Sequence, residues 1–186
     1  MLTHAHFDHV GFAERLRRDH GVEVWAHEDE VPITRHPLRY PHERSPLRYL
    51  RHLRALPVLL RIGLAGAPLV KGIQSVRTFR DGDVLDVPGR PRVVFTPGHT
   101  PGHASLWLED RDAVIAGDAI VTLDPYTGAR GPQIVSGAAT ADSALALRSL
   151  AALADTGAGT VLTGHGEPWT QGVAAACERA WAAGPS

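Results

Sequence analysis

Thiols are nearly absent from this chain: its 186 residues include a single cysteine, Cys177. One thiol excludes an internal disulfide and the scaffolds that depend on them, so a reducing compartment, the cytoplasm, is expected. Cys177 lies in the alanine-rich stretch Val173–Ala183, which reads as a helix, and is expected to pack rather than to react or bind metal. An excess of charge is missing too. The formal net charge is −1, which argues against a nonspecific nucleic-acid partner, because that role needs a basic balance. No apolar run suits a bilayer. The stretch beginning at Ala55 is broken by Pro57 and Arg61, which excludes a transmembrane span. Nothing at the amino terminus resembles a secretory signal, and no internal repeat or low-complexity tract stands out. Glycine and proline, by contrast, are plentiful at 19 and 14 residues, which fits one loop-rich α/β domain.

Histidine is concentrated where it matters. Met1-Leu2-Thr3-His4-Ala5-His6-Phe7-Asp8-His9 packs four metal-ligand side chains into six positions. Such crowding is unfavourable unless a divalent cation offsets it. In an extended segment alternate side chains share a face, so His4 and His6 can converge on one ion. Asp8 and His9 lie across the turn into a helix, displaced enough to face a second.

Three downstream segments supply partners. Val93–Thr96 runs into a Pro/Gly-rich loop bearing His99, Ala113–Ala116 ends in Gly117-Asp118, and Thr160–Thr163 ends in Gly164-His165. Each reads as a buried strand, then glycine, then a candidate ligand. Glycine lets the backbone bend at the strand's carboxyl end, where α/β sheets present their sites. One such pattern is weak, whereas their combination in one chain is specific.

The order His-x-His-x-Asp-His, Gly-His-Thr, Gly-Asp, Gly-His resembles the metallo-β-lactamase-fold hydrolases, which include class B β-lactamases, glyoxalase II-like thioesterases and lactonases. The match runs from residue 1 to about residue 169. The resemblance implies an α/β fold, an αββα sandwich, in which His4, His6 and His99 bind a first metal. Asp8, His9 and His165 would bind a second, with Asp118 bridging. Histidine nitrogen and carboxylate oxygen suit zinc, two ions per chain, and admit iron or manganese. Two such ions lower the pKa of a bridging water toward ~7, hold the hydroxide as nucleophile and stabilise the resulting oxyanion. No catalytic serine or cysteine is then needed. Asp8 is the candidate catalytic side chain, orienting the hydroxide or passing a proton to the leaving group.

The expected function is hydrolysis of a small-molecule ester, thioester, lactone or lactam. Two alternatives stay open. One is an iron-dependent oxidoreductase or dioxygenase on the same scaffold, although diiron oxidoreductases of this fold carry a glutamate where this chain has His6. The other is an incomplete, catalytically inactive metal-binding protein.

In the resembling fold a half-sheet precedes the His-x-His motif, and here Met1, Leu2 and Thr3 are too few for the strand that should deliver it. The domain, residues 1–186, is therefore expected to be truncated at its amino terminus, with part of one sheet's apolar face uncovered. A start set too late in the reading frame, a fragment, or a partner chain completing the sheet (a homodimer among these) would each account for it.

Further expectations are local. A helix over Gly11–Asp19, a strand over Val22–Ala26 and a helix from Thr140 to Leu153, with Thr140 as N-cap, are read from pattern and capping. Residues 35 to 70 form an Arg/Leu-rich helical insertion. Leu47, Leu50, Leu53, Leu56 and Leu60 recur at near-helical spacing beside Arg44, Arg48 and Arg51. That helix either packs its leucines on the domain or forms a lid above the metals. His27 and His103 are expected outside the ligand set, in supporting roles. Tyr126, in the loop after Asp118, is either a structural tyrosine or a donor to an oxyanion.

Overall fold

Short apolar strands need cover on both faces, and the computed structural model, which describes residues 1–186 apart from the Pro68 side chain, provides it in layers. The larger sheet comprises β3 (Arg92–Phe95), β4 (Ala104–Leu108), β5 (Ala113–Gly117) and β8 (Thr160–Thr163), in the order β3-β4-β5-β8. Its first two pairings are antiparallel, and β8 joins β5 in parallel. On one face Val114, Ala116 and Val161 pack against α4 (Ser143–Ala154) and α5 (Val173–Ala183) through Leu150, Leu153, Ala176 and Cys177. On the other face Val93, Ala104 and Leu106 meet Trp25 and Phe79. These belong to a second sheet of two parallel strands, β1 (Trp25–His27) and β2 (Arg77–Phe79). Beyond it, Val10 of α1 (Phe7–His20) packs on Val24 and Ala26. Helix, sheet, sheet, helix is the expected αββα stack.

Residues 2–5 run between the two sheets. The Leu2 amide donates to the Trp25 carbonyl at 2.8 Å, and the Ala104 amide donates to the Thr3 carbonyl at 2.9 Å. Beside this segment an apolar groove of about 570 Å³ remains, lined in part by Leu2, Phe12, Leu16, Val24, Leu106 and Leu162.

Several boundaries differ from expectation. α1 begins at Phe7 rather than near Gly11, so Asp8 and His9 sit inside its first turn, where a carboxylate suits the helix dipole. Gly21, at φ 65°, ends it in the left-handed conformation. The strand read over Val22–Ala26 is shorter and later, Trp25–His27. Thr140 does not cap α4. Asp142 does, its carboxylate accepting from the Leu145 amide at 2.7 Å, because the Thr140 hydroxyl is already committed to the Val135 carbonyl at 2.7 Å. The hairpin of β6 (Val121–Leu123) and β7 (Arg130–Gln133), read only as a loop, follows Asp118.

The insertion departs most. No continuous helix spans Leu47–Arg61. It divides into 3₁₀ turns at Pro46–Tyr49 and Leu53–Ala55, then α3 (Leu56–Leu64). Pro57 has no N–H to give a preceding turn, so it marks a new helix start. The leucines at 47, 50, 53, 56 and 60 are all exposed, contrary to the one of the two readings in which they pack on the domain.

Candidate metal centre

The strand ends and the start of α1 converge on Asp118. β5 delivers it through Gly117, whose φ of 53° a side chain would strain. β8 runs out into Gly164, where a Cβ would collide with the Asp118 carboxylate, so only glycine lets the two strand exits approach so closely. Asp118 is buried, and its oxygens lie 3.8 Å from His4 Nε2, 3.8 Å from His9 Nε2, 3.5 Å from His99 Nε2 and 3.3 Å from His165 Nε2. Asp8 meets the same cluster from α1, with Oδ2 at 3.2 Å from His165 Nε2 and 3.8 Å from His9 Nε2. His6 Nδ1 stands 3.1 Å from His99 Nε2. All seven side chains singled out in the sequence are therefore brought together. They form three overlapping groups, His4–His6–His99, His4–His9–Asp118 and Asp8–His9–His165, each with ligand atoms within 4.8 Å of one another.

This donor set fits metal. His4 Nε2, His6 Nε2 and Asp118 Oδ1 are buried without a hydrogen-bond partner among the described residues, a costly arrangement that an ion can relieve. The ring of His99 is oriented for the purpose. The Thr140 hydroxyl gives its proton to Val135, so it can only accept from His99 Nδ1–H at 3.2 Å, and Nε2 is left with its lone pair. Protonation states agree. Burial holds His4 and His99 well below the usual imidazole range and His6 down at about 4, so all three stay neutral and able to ligate. For Asp118 burial opposes ionisation, but His165, His9 and His99 outweigh it and pull its carboxyl far below the ordinary value. Asp8 is lowered as well, its burial offset by His165 and His9. Burial disfavours a charged His165, yet Asp118 and Asp8 prevail and hold it up at about 10. Without an ion, that proton is the counter-charge to the two carboxylates.

Three further polar side chains are buried. His103 lies outside the three groups, as expected, with both ring nitrogens engaged. Nε2 accepts from the Asp118 amide at 3.1 Å, so Nδ1 carries the proton and donates to Thr96 Oγ1 at 2.9 Å. Burial keeps it neutral, at about 3. His27 is structural: its Nδ1 accepts from the Asp29 amide and its ring stacks on Phe95, 4.5 Å between centroids. Glu30 was not anticipated. It is fully buried, and its carboxylate accepts from the Ala5 amide at 2.8 Å and the Gly102 amide at 2.9 Å. It thus clamps the backbone between His4 and His6 to the loop that carries His99. Within the acidic run Glu28-Asp29-Glu30 it reads as surface, and nothing local marks it as buried.

The cavity at the cluster is lined by His6, Asp8, Asp118 and His165 below and by Tyr40, Ile62 and Tyr126 above. Its volume is about 20 Å³, room for about one water. Tyr40 packs on the His6 ring, 3.9 Å between centroids, and its hydroxyl is 3.4 Å from that of Tyr126. Ile62 comes from α3, so part of the insertion roofs the site.

A family model for the metallo-beta-lactamase superfamily matches residues 1–165. The chain belongs to that superfamily. Within it, the chain is similar to the probable metallo-hydrolase YflN of Bacillus subtilis, at 32% identity over 91% of this chain and 64% of that protein. It is 28% identical to the hydroxyacylglutathione hydrolase GloC of Haemophilus influenzae, over 64% of this chain and 48% of that one. TTHA1623, solved in a di-iron-bound form, superposes with a TM-score of 0.64 at 25% identity, covering 94% of this chain and 72% of that one. The chain thus spans about half to two thirds of the length of these curated relatives. Two of these relatives carry the names of a metallo-hydrolase and of a hydroxyacylglutathione hydrolase.

Proposed function

We propose that this chain hydrolyses a small ester, thioester, lactone or lactam with two metal ions, zinc in the first instance. His4, His6 and His99 would hold one ion, Asp8, His9 and His165 the other, and Asp118 would stand between them. What carries the reading is the set of buried, partnerless polar atoms on His4, His6 and Asp118, each of which belongs to a cluster of ligand-type atoms that shares His4. When bound, the ions would supply an acidified water and a positive field for a developing oxyanion.

The chain's own residues do the rest. Asp118 remains ionised, and the His103 bond to its amide fixes its direction. Asp8 accepts a proton during attack and returns it to the leaving alkoxide, thiolate or amine. Tyr126, a neutral hydroxyl at the cavity wall, donates to the substrate oxygen. Tyr40 and Ile62 exclude bulk water and yield to the substrate. Likeness to a hydroxyacylglutathione hydrolase supports an acyl substrate, and the lone thiol supports work in the cytoplasm.

Elemental analysis of the purified protein, with a panel of ester, acyl-thioester, lactone and β-lactam substrates before and after chelation, tests the proposal. Two zinc ions per chain and chelator-sensitive hydrolysis of one class are expected. Full loading with no turnover of any class overturns hydrolysis, and one iron per chain with oxygen consumption favours an oxidoreductase.

A further inference from the structure

Seven leucines between residues 47 and 69 point into solvent: Leu47, Leu50, Leu53, Leu56, Leu60, Leu64 and Leu69, the last four-fifths exposed. A single exposed leucine needs no explanation, but seven within one segment do. In α3, Leu56, Leu60 and Leu64 are spaced four apart, so they form one stripe along the helix. The charge around them is equally one-sided. From Arg35 to Lys71 there are seven arginines and one lysine against a single acid, Glu43, an excess of seven; the whole chain is −1, so the remainder carries −8. Arg48, Arg51, Arg54 and Arg61 are exposed among the leucines.

We infer that this segment docks on an anionic lipid surface, leucines entering the interface and arginines meeting the headgroups. Apolar side chains interleaved with arginines are the pattern of a helix that lies in the plane of a membrane. No helix among the described residues is long and apolar enough to cross one, so the contact is peripheral. A second copy is the weaker occupant, because pairing this face with itself would oppose two sets of like charge. The location gives the contact a use. Ile62, on the same short helix but turned away from the Leu56–Leu60–Leu64 stripe, lines the metal cavity, so docking holds that cavity one helix away from the lipid surface. On the hydrolase reading above, the substrates are acyl amphiphiles drawn from that surface.

Sedimentation with phosphatidylglycerol/phosphatidylcholine vesicles, using chelated protein, tests the docking without any need for catalysis. Binding is expected to the anionic vesicles, to weaken as salt rises, and to be slight on pure phosphatidylcholine. Arg51→Gln and Arg61→Gln should each weaken it about fivefold, and the pair Leu60→Ser with Leu64→Ser about tenfold or more, with the thermal transition unchanged. In the metal-loaded enzyme the leucine pair should lower kcat/KM for a long-chain acyl ester more than for a short one. No binding to anionic vesicles overturns the inference, as does a dimer in light scattering that the leucine pair dissociates while vesicle binding is absent. Loss of hydrolysis on every substrate with vesicle binding intact would instead count against the hydrolase reading alone.

Discussion

The metal cradle and the Arg/Leu-rich segment above it are held in opposite ways. In the cradle the side chains stand in the segment before α1, in the first turn of α1 or beyond strand ends, and outer partners fix them: Glu30 on two backbones, Thr140 on His99, His103 on the Asp118 amide. The segment is tied mainly at its near end. The Glu43 amide donates to the Thr140 carbonyl, the Arg44 amide to the Gly137 carbonyl, and the buried Tyr49 hydroxyl to the Ser186 carbonyl. Beyond these anchors, α3 has no buried residue. The lesson is a division of labour. The ligand-type groups are over-determined by their surroundings, whereas the segment beside them has few constraints.

That contrast can be tested at both ends. The largest effect is expected from Asp118→Asn, which removes a charge that four histidines face. Metal content should fall, and kcat/KM should drop by more than the ~10–100-fold that loss of an outer partner costs. Retention of both ions with near-normal turnover would show that Asp118 is not central. Next comes Glu30→Ala, which strands two buried amides and should destabilise the protein by about 3 kcal/mol, read by urea unfolding. Glu30→Gln keeps one acceptor and should cost less.

Chelated protein should also show a distinctive pH dependence. His165 is raised by its carboxylate partners, so its contribution is fully present below about 6.5, the ordinary imidazole value, and is lost as pH climbs to about 10. Urea midpoints without metal should therefore decline over that range, and His165→Asn should flatten the decline. With metal the trend should reverse, because protons compete with the ion for the same atoms. The smallest effect is expected for Leu60→Ser in the segment, within about 0.5 kcal/mol of wild type. A cost of 2 kcal/mol or more would mean that the leucine is packed and that the contrast is false.

The cradle was legible in the sequence and the roof was not, for physical reasons. The candidate ligands announce themselves by type and order, His4, His6, Asp8 and His9 by their crowding and His99, Asp118 and His165 by a preceding glycine after an apolar run. Strands β5 and β8 were equally plain, because their apolar runs are bounded by turns. Glu30 was invisible, since a carboxylate beside two others reveals burial only when the chain folds around it. Thr140 was misread because its hydroxyl serves as a cap or as a partner for a distant ring equally well, and tertiary contact decided between them. Leucine spacing in the insertion suggested one helix, but Pro57 imposed a new start and spacing alone could not say whether anything lay beneath it.

Cys177 has a practical consequence. It sits at the α4–α5 seam with no exposed surface, its Sγ near the Leu150 carbonyl and its thiol pushed by burial up to about 12. An alkylating reagent can reach it only when those helices part, so every labelled molecule records one opening of the core. With no competing thiol in the sequence, the native protein carries its own unfolding clock, and the labelling rate can be followed by mass spectrometry without engineering a probe.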